Sequence, residues 1–200
     1  MTFKDMKYNF IVDNSVDLFL EKGINAVTIR DIANHIGLGE ATIYRYFSKK
    51  ENLVLEVAIK LEEEALNKYF SIEKDKNGYD NLYSFYNSFL KVFNENKNFY
   101  RFISEFDNFI INKDCQMSEY EKKMEEFYIL FKESYDLGIN DKSINPINDV
   151  NNFYFTTTHS LMGLCKKLSI DKDILEQDLN INKEAEIEML INIIMFSLKK

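Results

Sequence analysis

The sequence is poor in residues that break or cross-link a chain: its 200 residues include one proline, six glycines, two cysteines and no tryptophan. Few turn signals remain, and apolar residues recur at helical spacing almost throughout, so we predict an all-α fold. Cys115 and Cys165 have no CxxC pair and no histidine at metal-ligand spacing. This pattern argues against a disulfide or a zinc site, and no metal or cofactor is expected.

Long apolar runs and catalytic signatures are also missing. No stretch approaches the roughly 20 apolar residues that cross a bilayer. The N-terminal MTFKDMKYNF lacks the apolar segment of a signal peptide. We therefore expect a cytoplasmic protein with no membrane partner. None of GxSxG, a P-loop, GxGxxG or HExxH is present, and the two histidines form no constellation. An enzyme is not expected.

The most informative segment is IRDIANHIGLGEATIYRYFS, at residues 29–48. Residues 29–36 predict a short helix with one apolar stripe, and Gly37 follows where a left-handed residue must end it. Ala33 is small where a second helix, 40–47, would cross, and Leu38 fills the angle between the two helices. This pattern, at about 28–47, is typical of a helix-turn-helix whose second helix enters the DNA major groove.

Flanking residues extend this prediction. A first helix is expected from about Lys7 to Lys22, with the stripe Ile11, Val12, Ser15, Val16, Phe19 and Leu20. Thr28 and Asp31 predict a capping box for the second helix, and Ser48 with Glu51 predicts one for a fourth helix reaching towards Tyr69.

Further helices are predicted over about 82–93, 99–110, 118–138, 150–168 and 183–198. The chain is thus expected to divide into a three-helix DNA-binding domain at 5–65 and a helical effector-binding and dimerisation domain at 66–200.

Charge sets a limit on DNA binding. The net charge is −8, but residues 1–50 hold seven basic against six acidic side chains, a net of +1. The excess acid lies beyond the helix-turn-helix. Because +1 is weak for a DNA-binding segment, dimerisation would be needed to double the phosphate contacts.

The chain resembles the TetR/AcrR family of regulators. The resemblance rests on TIRDIA at 28–33, GL at 37–38, ATIYRYF at 41–47 and KExL at 50–53, and it covers about the first quarter of the chain. It implies a homodimer that binds a palindromic operator and is usually released by a small molecule. Beyond that quarter, the chain matches the family only in the layout of its helices.

The resemblance also implies residue roles. Phosphate contacts would fall on Thr28, Tyr44, Tyr46 and Lys50. The residues nearest the bases would be Arg30, Glu40, Ala41, Thr42 and Arg45. Hydroxyl and ammonium groups suit phosphates, and arginine can pair with guanine. Glu40 either accepts a hydrogen bond from a cytosine amino group or interacts favourably with the positive end of the helix dipole. Gly39 stands where the family often has serine.

The middle helices carry stripes of phenylalanine and tyrosine, whose default interpretation is a core. Tyrosine hydroxyls in an apolar wall are also typical of a small-molecule pocket. We predict that an apolar or aromatic effector contacts these residues: Tyr86, Phe89, Phe93, Phe102, Phe106, Tyr128, Phe131 and His159.

A dimer interface is predicted on the last two helices. Thr156, Ser160 and Gly163 share one face, where small side chains allow close approach of a partner helix. With the last helix, the predicted set is Thr156, Ser160, Gly163, Leu164, Leu190, Ile191, Ile194, Met195 and Leu198. Whether the polar patch around His159 lines a pocket or this interface stays open.

Together these features predict a ligand-responsive DNA-binding regulator, most simply a homodimeric repressor released from operator DNA by a small effector. The alternative is a helical small-molecule or protein-binding module whose helix-turn-helix no longer reads specific DNA.

Overall fold

The computed structural model describes residues 2–170 and 182–200. This part of the chain forms nine helices and no strand, apart from one isolated bridge between Ile144 and Lys199. The helices are α1 Phe3–Lys22, α2 Ile29–Ile36, α3 Glu40–Phe47, α4 Lys50–Tyr69, α5 Gly78–Glu95, α6 Lys97–Ile110, α7 Ser118–Asn140, α8 Val150–Leu168 and α9 Lys183–Leu198. The predicted all-α class is confirmed. Within the predicted 66–200 domain, residues 171–181 lie outside the described part.

Contacts divide the chain into two compact units. The first comprises Met1–Glu64 and Arg101–Lys123, and the second comprises Ala65–Tyr100 and Met124–Lys200. The N-terminal segment of the first unit ends at Glu64, beside the domain boundary predicted at residue 65. It also contains 101–123, a segment that sequence alone assigns to the second domain.

Local capping explains several helix ends. α1 begins at Phe3 rather than near Lys7, because Thr2 and Asp5 form a capping box with bonds of 2.8 and 3.1 Å. The predicted start of α8 is confirmed, with the Asp149 side chain accepting from the Asn152 N–H at 2.9 Å. The predicted bounds of α9 are confirmed as well.

Apolar side chains of α1 to α4 form the core of the first unit. Ile11, Ile32 and Ile43 have no exposed surface. The predicted α1 stripe needs one correction: Leu18 is buried, whereas Leu20 is only half-buried. Leu18 lies seven residues after Ile11 and so shares its face of the helix.

Residues of α6 complete this core. The Phe102 ring centroid lies 6.4 Å from that of Phe19 and 6.3 Å from that of Phe106. Phe106 in turn lies 5.2 Å from Tyr120 at the start of α7. The first unit therefore combines the N-terminal helices with aromatic residues distant in sequence.

In the second unit, α5 is central and packs against both α8 and α9, as its apolar residues on more than one face predict. Aromatic rings fill the surrounding core. Phe131 lies 5.8 Å from Phe85 and 5.0 Å from Tyr154, measured between ring centroids. Offset and edge-to-face pairs of this kind add stability beyond the area that they bury.

The start of α5 contacts α7 without intervening side chains. A Cβ built on Gly78 would lie 2.0 Å from the backbone nitrogen of Gly138. The Gly78 N–H donates to Asp141 Oδ2 at 2.8 Å, and the Tyr79 N–H donates to Ser143 Oγ at 3.0 Å. The predicted end of α7 at Gly138 is therefore corrected to Asn140, since this glycine serves close packing rather than helix termination.

Candidate nucleic-acid interface

The site is built on α2 and α3 of the first unit, and it begins with a capped helix. The Thr28 hydroxyl accepts from the Asp31 N–H at 3.2 Å and donates to Asp31 Oδ2 at 2.6 Å. These bonds to Thr28 lower the pKa of the Asp31 carboxyl. The predicted capping box is confirmed. Thr28 and Arg30 are both exposed, so the start of α2 is open to a ligand.

The turn between α2 and α3 has the predicted geometry. Gly37 adopts the left-handed conformation, with φ 68° and ψ 31°. The Leu38 N–H then donates to the Ala33 carbonyl at 3.0 Å, and Ala33 is 2% exposed. A Cβ added at Gly37 would meet nothing within 4 Å. The backbone angle, rather than lack of space, therefore requires glycine there.

Two apolar residues orient α3. Ile43 is fully buried and Phe47 is 3% exposed, with the Tyr8 ring stacked on Phe47 at 4.8 Å. This leaves the opposite side of the helix free. The predicted base-contacting and phosphate-contacting residues lie exposed or half-buried on α3: Glu40, Ala41, Thr42, Tyr44, Arg45 and Tyr46. Tyr44 is 46% exposed, so its side chain is open to a ligand.

Arginine side chains of the site are available for hydrogen bonding. The Arg45 guanidinium lies 5.7 Å from the Tyr46 ring centroid, a cation–π geometry. No ion pair of the described residues involves Arg30 or Arg45. Because a guanidinium can donate two parallel hydrogen bonds to guanine, either arginine can read a base edge.

The Lys50 ammonium is bonded within the protein, whereas its predicted role is to contact a DNA phosphate. The ammonium donates to the Ile24 carbonyl at 2.5 Å and lies 5.5 Å from the Phe109 ring centroid. Burial lowers its pKa. A phosphate contact by Lys50 stays a prediction, and it would require this ammonium to leave Ile24.

The predicted capping box at the start of α4 is also corrected. Ser48 ends α3 with φ 60°, and its N–H donates to the Tyr44 carbonyl. α4 starts at Lys50, so Ser48 lies two residues before this helix. Asn52 supports the turn instead, donating to the Phe47 carbonyl at 2.8 Å.

Two α6 residues that hold the α1–α2 connection were missed by sequence reasoning. Glu105 Oε2 accepts from the Ile24 N–H at 2.6 Å. The Arg101 guanidinium donates to the Leu20 carbonyl, near the end of α1. No sequence signal could reveal them, because about 80 residues separate the partners and their meeting depends on tertiary packing.

The predicted effector residues fall into both units. Phe102 and Phe106 belong to the first unit. Of those in the second unit, Tyr86, Phe89, Phe93 and Phe131 are buried, and Phe93 also borders an open cleft of about 630 Å³. These placements are compatible with a core as well as with a pocket lining.

Polar groups among these candidates have partners. The Tyr86 hydroxyl lies 2.8 Å from Thr157 Oγ1 in the core. The Tyr128 hydroxyl donates to Asn151 Oδ1 at 2.5 Å. His159 is exposed, with its ring 5.7 Å from that of Phe155. It therefore lies on an open face of α8 rather than in an interior cavity.

The predicted dimer residues divide between surface and core. Thr156, Ser160 and Gly163 are exposed, while Leu164 and Leu190 are half-buried. The four remaining α9 residues are buried inside the second unit, and their place in a dimer interface stays a prediction: Ile191, Ile194, Met195 and Leu198.

A different stripe of α9 faces outward. Met189, Ile193 and Phe196 are 62%, 60% and 78% exposed, and Phe155 of α8 is 51% exposed. A Cβ added at Gly163 would meet nothing within 4 Å, so α8 also leaves room at its surface. The signal that could have revealed this stripe is the presence of apolar residues on both faces of α9.

The described residues offer neither a metal-binding cluster nor a membrane-spanning helix. No group of three His, Cys, Asp or Glu side chains there could hold a metal ion. No described helix is long and apolar enough to span a membrane. The thiols are free, Cys165 buried and Cys115 half-buried.

The N-terminal part of the chain is similar to known regulatory proteins. Residues 11–57 match the family model described as bacterial regulatory proteins of the tetR family. The negative transcriptional regulator IcaR of the biofilm operon icaADBC in Staphylococcus aureus (strain Newman) is 33% identical over 82 residues. That match covers 40% of this chain and 44% of IcaR.

Solved structures extend the likeness to the whole fold. The ketosteroid transcriptional regulator KstR2 of Mycobacterium tuberculosis has a TM-score of 0.65 at 15% identity, covering 97% of this chain and 95% of KstR2. The transcriptional regulator FadR of Bacillus subtilis, in complex with stearoyl-CoA, has a TM-score of 0.69 at 14% identity, covering 95% and 98%. At these identities the likeness shows the fold alone.

Proposed function

This chain belongs to the tetR family of bacterial regulatory proteins, and we propose that it is a ligand-responsive transcriptional repressor. As a homodimer it would bind a palindromic operator, and a small apolar or aromatic effector would release it. A regulator of this kind acts on chromosomal DNA, so its place of action is the bacterial cytoplasm. The chain is a DNA-binding regulator rather than an enzyme.

One observation carries the proposal. Ile43 and Phe47 fix α3 against the core, so that Ala41, Tyr44 and Arg45 are presented outward on a helix of eight residues. A helix of this size fits the major groove, which is about 12 Å wide. Arg45 supplies a donor pair for guanine, the Ala41 methyl suits thymine, and Tyr44 offers a hydroxyl to phosphate.

The weak charge of the first 50 residues supports a dimer. Two copies double the phosphate contacts, and the exposed stripe of Met189, Ile193 and Phe196 offers an apolar surface for the second copy. The exposed small residues of α8 favour close approach of a partner helix. Half-sites would lie about 34–36 Å apart, or a multiple of that distance.

We propose that the effector binds within the aromatic core of the second unit. Phe85, Phe131 and Tyr154 provide apolar surface, and the Tyr86–Thr157 hydroxyl pair provides a polar group deep within it. An effector there would shift the population between operator-competent and operator-incompetent states. A thermal-shift screen tests this, because a compound that binds only the folded protein raises its melting temperature.

The test of the function is a gel-shift and footprint titration on the DNA that flanks this protein's own gene. We expect protection of a palindrome and weaker binding by Tyr44→Ala. Tyr83→Ala is the matched control, since Tyr83 is exposed but lies on α5 of the second unit. Absence of protection, or equal binding by Tyr44→Ala and the wild type, would contradict the proposal.

A second candidate is a helical binding module whose α3 no longer reads sequence. The net charge of only +1 over residues 1–50 and the inward placement of Lys50 favour it. Salt titrations separate the two functions. A repressor should show a steep salt dependence and bind operator at least about 10³-fold more tightly than mixed-sequence DNA, whereas a degenerate module should bind both DNAs alike.

A further inference from the structure

The α6–α7 loop, residues 111–117, is fixed against the start of α4 within the first unit. The Lys49 ammonium donates to the Asp114 carbonyl, and Cys115 Sγ lies 3.6 Å from Asn52 Oδ1. Lys113 Nζ lies 3.5 Å from Glu51 Oε1. About 60 residues separate these partners in sequence, yet three contacts hold the loop beside the residues that follow α3.

Two lysines lie beside one aromatic ring, and a third binds the same loop. Lys50 Nζ and Lys113 Nζ lie 5.5 and 5.7 Å from the Phe109 ring centroid. Lys49 is adjacent in sequence and bound to the same loop. Lys49 and Lys50 follow Tyr46, a predicted phosphate contact, by three and four residues. The cluster of Lys49, Lys50 and Lys113 therefore extends the proposed DNA interface beyond α3.

Accessibility distinguishes the three ammonium groups. Lys50 is bonded inward to Ile24, and Lys49 is bonded to the loop backbone. Lys113 keeps 43% of its side chain exposed, whereas its partner Glu51 keeps 22%. Within this ion pair the cation thus faces solvent more than the carboxylate does. Lys113 is therefore the member of this ion pair whose side chain is more open to an anion.

We propose that the α6–α7 loop is a second phosphate-binding element of the DNA interface, with Lys113 as its contact residue. This inference rests on the proposed function. The additional lysine contact compensates for the weak positive charge of residues 1–50, because each neutralised phosphate adds to affinity by releasing counterions. Lys113 contributes that charge from a segment far along the chain. Its contact is with the backbone of DNA, and it carries no base preference.

The test compares full-length Lys113→Gln with the wild type, using a labelled duplex from the protein's own upstream region and sonicated DNA of mixed sequence. We expect the affinity of Lys113→Gln to fall about tenfold for both DNAs. The slope of log K against log salt should shrink by about 2 for a dimer, one for each lost contact. Lys113→Arg should retain the wild-type slope.

Two further variants separate this role from structural support. Glu51→Gln breaks the same ion pair but leaves the lysine charge, so its affinity should equal or exceed that of the wild type. Lys122→Gln removes an exposed lysine of the same unit, paired with Glu119, and should change nothing. An unchanged slope in Lys113→Gln would overturn the inference, as would an equal loss of affinity in Glu51→Gln.

The two proposals fail in different ways. If the wild type shows no preference for the upstream duplex, the proposed repressor function fails. The Lys113 comparison can still be read on mixed-sequence DNA, where the loss of slope supports the loop contact and its absence overturns it.

Discussion

The Lys50 ammonium donates a hydrogen bond to the backbone carbonyl of Ile24 at 2.5 Å, tying the start of α4 to the α1–α2 connection. Glu105 accepts from the N–H of the same residue at 2.6 Å. Both polar groups of Ile24 are therefore bonded to charged side chains, while its own side chain is fully buried. This residue links α4 and α6 to the base of the helix-turn-helix.

Replacing Lys50 should destabilise the protein. Lys50→Met keeps an unbranched apolar chain near Phe109 but leaves the Ile24 carbonyl without its charged donor, which costs about 1–3 kcal/mol. Urea unfolding should show a lower midpoint with an unchanged m-value. Lys4→Met, an exposed change on α1, is the control. Equal midpoints for Lys50→Met and the wild type would show that this bond does not contribute to stability.

Gly37 and Gly39 form a matched pair for testing backbone strain. Both have open space where a Cβ would stand, but φ is 68° at Gly37 and −78° at Gly39. Gly37→Ala should therefore lower the free energy of unfolding by about 1–2 kcal/mol. Gly39→Ala should lower it less, since an L-residue adopts that angle freely and the only loss is the preference for glycine over alanine at the N-cap of α3. Denaturant titration of the two variants measures the difference, and equal effects would contradict the argument.

The exposed stripe of α9 should decide the oligomeric state. Phe196→Glu places a charge on the surface proposed for the second copy, so it should convert a dimer to a monomer. Phe3→Glu is the matched control, because Phe3 is 76% exposed and Phe196 is 78% exposed, but Phe3 lies on α1. Sedimentation equilibrium measures both masses. A dimeric Phe196→Glu variant would place the interface elsewhere.

Thiol chemistry should report on the core of the second unit. Burial raises the pKa of Cys165 to about 12, against about 8.5 for a free thiol. At pH 8 Cys165 should react with Ellman's reagent far more slowly in the folded protein than in urea. Cys115 is half-buried and should react before it. Fast modification of both thiols in the native protein would contradict this order.

The raised pKa of Cys165 also makes the stability of the protein depend on pH. The folded protein holds the Cys165 proton up to a pKa of about 12, while the unfolded chain releases it near 8.5. The contribution of this thiol is therefore complete below about pH 8.5 and is lost as pH rises from there towards 12. Cys165→Ala should show less of this alkaline loss in urea titrations at pH 8 and pH 10.

Local rules made much of the fold predictable. The Thr28–Asp31 box, the left-handed Gly37 and the bounds of α8 and α9 depend on neighbours within a few residues. The inward placement of Ile43 and Phe47, four residues apart on α3, is the one that helical periodicity predicts. These features place the helix-turn-helix before any tertiary contact is known.

Other features depend on contacts between distant segments and could not be predicted. The placement of Lys50 on Ile24, and that of Glu105 on the same residue, requires the packing of α6 against the N-terminal helices. α9 is apolar on two faces, so periodicity could not tell the core residue Met195 from the exposed Phe196. For the dimer and effector residues, sequence patterns identified the helices better than the individual faces.

The backbone contact between Gly78 and Gly138 limits how the second unit can rearrange. With 2.0 Å between a built Cβ of one glycine and the backbone nitrogen of the other, no side chain separates α5 from α7 at this point. Sliding one helix along the other would drive main chain into main chain. This contact does not block rotation of one helix about the crossing point, so we expect any widening of the aromatic core to increase with distance from it.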